Sequence, residues 1–226
     1  MVGSLLDRVN QNKSMTEVLN VVKDIFDLIT YHDKWINDFF LHPLGFYYCR
    51  LYHNDEHQIR LHIWEPNYPV KQDLYIHDHF YDLCSWVLCG EIKDFLYVVQ
   101  STTDTSDYCM FTTSYSIDKN IRILARTNNF LLVKKKEERI IKKNEKYIIP
   151  KDTFHSNTVL FDESNLTVTF VFTFNHKENH SPNVVGSSKN ELYYESNPIM
   201  ISPEKVKELI TKAEYNIWGR TNTEIK

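Results

Sequence analysis

Glycine is scarce here, 5 in 226 residues, while 14 Tyr, 13 Phe and 4 Trp are present. That balance excludes a loose, low-complexity chain and favours a well-packed, β-rich body. The four cysteines, Cys49, Cys84, Cys89 and Cys109, show no C-x-x-C spacing, which removes the usual sequence signature of a redox or structural-zinc motif. No uninterrupted apolar run reaches membrane-spanning length. The opening residues MVGSLLDRVNQNKS lack the apolar core of a signal peptide, so the expectation is a soluble cytoplasmic protein with reduced thiols. A basic surface is also missing. A formal charge of −4 and a pI near 6.2 argue against general nucleic-acid binding. The one basic run, Lys134 to Lys143, holds two glutamates and is expected to be an exposed, solvated hairpin.

The length suits one large β domain without staples. Ser14-Met15-Thr16-Glu17 has the pattern of a capping box. Behind it Val18, Leu19, Val22, Ile25, Phe26 and Ile29 recur at helical spacing, predicting a helix over 15–30. A second short helix carrying Trp35, Ile36, Phe39 and Phe40 is expected to end before Pro43. From Phe46 the period changes to short runs rich in β-branched and aromatic residues. Turn clusters such as Asp104–Asp107 and Asp118–Asn120 punctuate them. Strands in series without helices between them predict a sandwich or barrel. Past Phe174 the pattern loosens, and Ser202-Pro203 then opens a last helix with Val206, Leu209, Ile210 and Ala213 as its stripe. The expected organisation is a helical extension over 1–45, a β domain over 46–178 and an extension with a terminal helix over 179–226.

The chemistry concentrates in His77-Asp78-His79 and in Pro150-Lys151-Asp152-Thr153-Phe154-His155. Imidazoles at i and i+2 on a strand share a face, and a third from a neighbouring strand completes a triangle for a metal ion. His77-x-His79 with Gly90 downstream, and Asn144-x5-Pro150-x-Asp152-x2-His155, resemble the two motifs of the cupin superfamily. Asn144 and Asp152 stand where that family's second motif carries glycine, and both residue types tolerate a left-handed backbone. Where the first motif normally places a glutamate, the chain has Leu83 and Cys84, with Asp82 one residue early. The resemblance covers about residues 57 to 175 and implies an all-β, cupin-type antiparallel barrel or jelly roll, flanked by the helical extensions. It is also compatible with a homodimer.

The departure at the glutamate suggests a three-histidine site, similar to that of thiol dioxygenases, with His77, His79 and His155 as metal ligands. Asp82 is a fourth ligand, an outer acceptor that fixes a histidine tautomer, or a turn residue. Asp78, pointing the other way, is structural. Arg60, His62 and Trp64 share one strand face. If that face lines the barrel mouth, Arg60 is suited to clamp a carboxylate, and otherwise it is an exterior arginine paired with an acid. His62 is an acid/base candidate or a satisfied strand histidine. Cys84 and Cys89 have opposite parity, so at most one faces the pocket unless a bulge intervenes. Three neutral ligands leave the ion's charge uncompensated, which favours a small anionic substrate bearing carboxylate or thiol. The leading function is therefore a non-haem Fe(II) oxygenase using O2, with Zn, Ni or Mn chemistry (isomerase, lyase or hydrolase) or a non-catalytic binding module as alternatives.

Overall fold

A computed structural model describes residues 2–66, 74–116, 121–159, 166–177 and 180–219. The predicted turn at Asp118–Asn120 lies outside them. The chain opens with two helices, α1 (Val2–Arg8) and α2 (Met15–His32), followed by β1 (Phe39–His42), β2 (Phe46–His53) and β3 (Gln58–Trp64). Next come β4 (Ile76–His77), β5 (Asp82–Cys89), β6 (Glu91–Thr102), β7 (Tyr108–Ser116) and the long β8 (Ile121–Lys142). The strands β9 (Lys146–Ile149), β10 (His155–Val159) and β11 (Thr167–Phe174) complete the body. Finally β12 (Asn183–Ser187), β13 (Tyr193–Ser196) and β14 (Ile199–Met200) precede α3 (Pro203–Trp218).

Two antiparallel sheets result, ordered β14-β1-β2-β3-β11-β5-β9 and β13-β8-β6-β10-β4-β12-β7. Within them the run β3-β11-β5-β9 faces β8-β6-β10-β4. Successive strands β3, β4, β5, β6, β8, β9, β10 and β11 are thus dealt between the two sheets in the order of an eight-stranded jelly roll. The strand β7 is an insertion that pairs with the first half of β8, while the second half of β8 pairs with β6. None of the described helices is long and apolar enough to cross a membrane.

Helix α2 starts as its sequence dictates. Ser14 Oγ accepts from the Glu17 amide while Glu17 reaches back to the Ser14 amide, which satisfies two end donors and is worth about 1 kcal/mol. In α3, Ser202 caps and Pro203 fills the first turn. Both helices lay their apolar stripes on the outer face of the first sheet. There Val22, Ile25, Leu209 and Ile210 join Trp86, Phe170 and Phe172 in the largest core cluster.

Three expectations need correction. Phe39 and Phe40 are not helical: they begin β1, which pairs with β2 across a turn closed by Gly45 at φ 82. Asp33 and Trp35, at φ 50 and 58, stop the helix before them. The segment Lys134–Lys143 is no hairpin. It continues β8 along β6, and the turn falls at Asn144 (φ 70). It is nonetheless a solvated face, with Lys93 and Lys135 paired to Glu138 at 2.6 and 2.7 Å. Third, the segment past 178 is less loose than its composition implies, because Val184 and Val185 of β12 are buried between β4 and β7.

Candidate metal centre

The strands β4 and β10 meet at a single residue pair, His77 opposite His155, and cross-strand partners share a face. His79, two residues on, points to the same side. The ring centroids of His77 and His79 lie 4.8 Å apart, those of His77 and His155 4.7 Å, and those of His79 and His155 5.1 Å. One ligand nitrogen from each falls within 4.8 Å of the others, a group that could hold a metal ion. His155 is buried at 3 % exposure, whereas His77 and His79 are half-buried.

The hydrogen bonds behind the rings aim the lone pairs. His77 Nδ1 lies 2.9 Å from the Tyr75 carbonyl, an acceptor, so Nδ1 carries the proton and Nε2 is free to ligate. His155 Nδ1 lies 3.2 Å from Asp94 Oδ1 and is fixed in the same tautomer, with its Nε2 turned inward. The Nε2 atoms of His155 and His79 are 3.1 Å apart. Two ligands about 2.1 Å from one ion and roughly 90–109° apart stand about 3.0–3.4 Å from each other. The His79–His155 pair therefore has the spacing of two ligands on one divalent ion, and His77 completes a group that could hold it. Burial, and then the neighbouring His155, lowers His77 to about 3. Burial and the imidazoles of His77 and His155 hold His79 well below the ordinary range. Neutral rings are what metal ligation requires.

Asp94 is the anchor of this arrangement. It is fully buried on β6 and accepts a 2.7 Å bond from Arg139 Nε on β8. Asn157 lies beside it, its side-chain amide 3.1 Å from His155 Nδ1 and 3.2 Å from the Tyr147 hydroxyl. A chain of polar groups thus runs from His155 into the sandwich. Sequence reading missed it, because only the register of β6 against β10, with Asp94 opposite Asn157, brings these residues together.

The other wall is aromatic and cationic. Arg60 pairs with Val171 across β3 and β11, and Val171 belongs to the inner core cluster, so Arg60, His62 and Trp64 face the interior. The Arg60 guanidinium lies 5.6 Å from the centre of the Tyr81 ring, on which His79 stacks at 4.8 Å and 15°. It also donates to Gln58 Oε1, from Nε at 2.9 Å. His62 packs 4.8 Å from Phe46, which stacks at 4.4 Å on His42. Burial and then Arg60 lower His62 to about 3.

Asp82 stands apart from the histidines. Its two oxygens accept from the Lys151 amide at 2.8 Å and from Asn175 at 2.7 Å, the part of a loop-tying residue. Asp78 turns away and holds Asn183 through bonds of 2.6 and 2.9 Å. Cys84 and Cys89 both lie in the helix-side core, because a bulge between Val168 and Thr169 shifts the register of β5 against β11. Neither thiol faces the site.

Left-handed backbone occurs at Gly90 (φ 75), Asn144 (φ 70) and Asp152 (φ 61), the three positions where the cupin motifs carry glycine. A Cβ at Gly90 would come 2.2 Å from Thr167 Oγ1. The two motifs lie on adjoining strands, β4 and β10, of an antiparallel jelly roll, the architecture that the resemblance in the sequence implies. No family model and no curated protein matches the chain. Among solved structures, an RmlC-like cupin from Shewanella frigidimarina is similar at 11 % identity and TM-score 0.36, over 63 % of this chain and 87 % of that one. A structure described as the DMSP lyases RdDddP and RnDddQII is similar at 13 % and 0.35, over 61 % and 51 %, so this chain spans about half its length. Hydroquinone 1,2-dioxygenase from Sphingomonas sp. TTNP3 gives 11 % and 0.32, over 57 % and 65 %. Likenesses at this level do not extend to substrate or reaction.

Proposed function

We propose that His77, His79 and His155 hold a divalent metal ion, with Fe(II) favoured, in an oxygenase acting on a small anionic metabolite that bears a carboxylate or thiol. The observation that carries this reading is the convergence of the three rings with Nδ1 of His77 and His155 tied back to Tyr75 and Asp94. Fe(II) bound there would supply the ability to react substrate with O2. Three neutral ligands leave the ion's positive charge to be balanced by the substrate. Arg60, on the inner face of β3 and packed on Tyr81 beside His79, is suited to hold the substrate carboxylate through its planar fork. The aromatic wall of Phe46, His62 and Trp64 excludes water and orients the remainder of the ligand. His62 stays neutral in this setting, which suits it to accept a proton or a hydrogen bond from the substrate.

Separate loading with Fe(II), Zn(II), Ni(II) and Mn(II) tests the reading, with oxygen uptake followed on 3-mercaptopropionate and related small thiol and carboxylate anions. Uptake by the Fe(II) form alone, abolished in His155→Ala, is expected. Turnover by the Zn(II) form without oxygen consumption would place the reaction among the hydrolases or isomerases instead.

A further inference from the structure

A second cation faces the same space from the opposite sheet. His77 pairs with Val184, Val184 pairs with Phe111, and Tyr115, four residues along β7 from Phe111, pairs with Arg122 of β8. Paired residues share a face and alternate residues return to it, so Arg122 lies on the face of the second sheet that carries His77. Among the described residues its Nε is buried with no hydrogen-bond partner and its guanidinium forms no ion pair. A buried donor left without a partner is costly unless something absent from the protein satisfies it. The Arg122 charge reaches the site: after burial it is the first influence holding His42 below the ordinary imidazole range, and it acts on His77 too.

Arg60, on the first sheet, also has no carboxylate partner among the described residues, its contacts there being Gln58 and the Tyr81 ring. The carboxylate whose charge does reach the histidines is Asp94, already taken up by Arg139 and His155. Two guanidinium groups without counter-ions among the described residues therefore approach one histidine cluster from facing sheets, with the apolar rings of Phe46 and Trp64 beside Arg60's strand neighbour His62.

We propose that Arg122 and Arg60 together make this space a binding site for a small dianion, and that its ligand is a dicarboxylate with one carboxylate directed to each arginine. The inference deepens the anionic-substrate reading above and rests on it for the site's role. It assigns Arg122 as the residue that selects two negative charges over one.

The test uses the full chain as purified, with calorimetric titration of malonate, succinate and glutarate against the monoanions propionate, butyrate and valerate. The best diacid should bind about 10- to 100-fold tighter than the monoacid of like length, the increment of one more charge-assisted pair. In Arg122→Met that preference should vanish, the diacid then binding no tighter than the monoacid, and Arg122→Lys should keep most of it. Arg60→Met should weaken both classes. Equal binding of diacids and monoacids by the wild type would overturn the proposal. So would a preference that survives in Arg122→Met, or tighter binding of inorganic phosphate than of any diacid. Metal content measured on the same samples keeps the two readings apart. A metal-free protein that still prefers diacids breaks only the oxygenase reading, and a metalloprotein without the preference breaks only this one.

Discussion

The two faces of the first sheet are built from the same strands and differ in nearly every property. On β3, Ile59, Leu61 and Ile63 turn outward beneath the helices, while Arg60, His62 and Trp64 turn inward. On β11, Phe170 and Phe172 go outward, and Thr169 and Val171 go inward. On β5 the outward set is Cys84, Trp86 and Leu88, against Leu83, Ser85 and Val87 within. The helix-covered face is therefore the stabilising core, and the sandwich interior is part apolar core and part polar. A jelly roll whose main apolar core lies outside the sandwich can keep arginines, hydroxyls and imidazoles inside it.

The comparison breaks first at Trp86, fully buried, 6.3 Å from Phe170, with its indole nitrogen donating to the Lys13 carbonyl at 3.2 Å. Trp86→Ala should cost about 3–5 kcal/mol, read as a lowered urea midpoint. A loss under 1 kcal/mol on the same scale would mean that the helix-covered face is not the main core.

Inside, the largest effect should be on metal, not on folding. Asp94→Asn keeps the shape of the group but removes the charge that fixes His155. Metal affinity, measured by chelator competition, should fall about 10- to 100-fold. Unchanged affinity would show that Asp94 serves Arg139 alone.

Smaller still is the expected response of Thr169. Its hydroxyl is buried without a hydrogen-bond partner among the described residues, so Thr169→Val should be neutral or stabilising by up to about 1 kcal/mol. Marked destabilisation in the melting curve would mean that the hydroxyl is engaged in the polar chain from His155. The thiols should respond least. Burial pushes Cys84 and Cys89 up to about 12, and all four cysteines are buried and free. A thiol reagent should label none in the native protein and all after unfolding.

Local signals in the sequence carried much of this architecture. The capping box before α2 and the Ser202-Pro203 start of α3 depend on neighbours a few residues apart, and each is present as expected. The αL positions Asn144 and Asp152 were legible because few other residue types accept that backbone. What escaped depends on register between distant strands. Asp94 reads as an ordinary strand acid until β6 is laid against β10, and Arg122 as a surface base until the chain of pairs from His77 is followed. Phe39 and Phe40 were misread because two adjacent aromatics fit the end of a helix as well as an edge strand. Here the left-handed Asp33 and Trp35 and the hairpin with β2 decide the outcome.

The most direct test is elemental analysis of protein purified without chelators, with His77→Ala and His155→Ala beside it, each checked for fold by circular dichroism. One divalent ion per chain in the wild type and none in either folded variant is the predicted result. A folded wild type free of metal, or a variant that keeps its ion, would contradict the three-histidine centre.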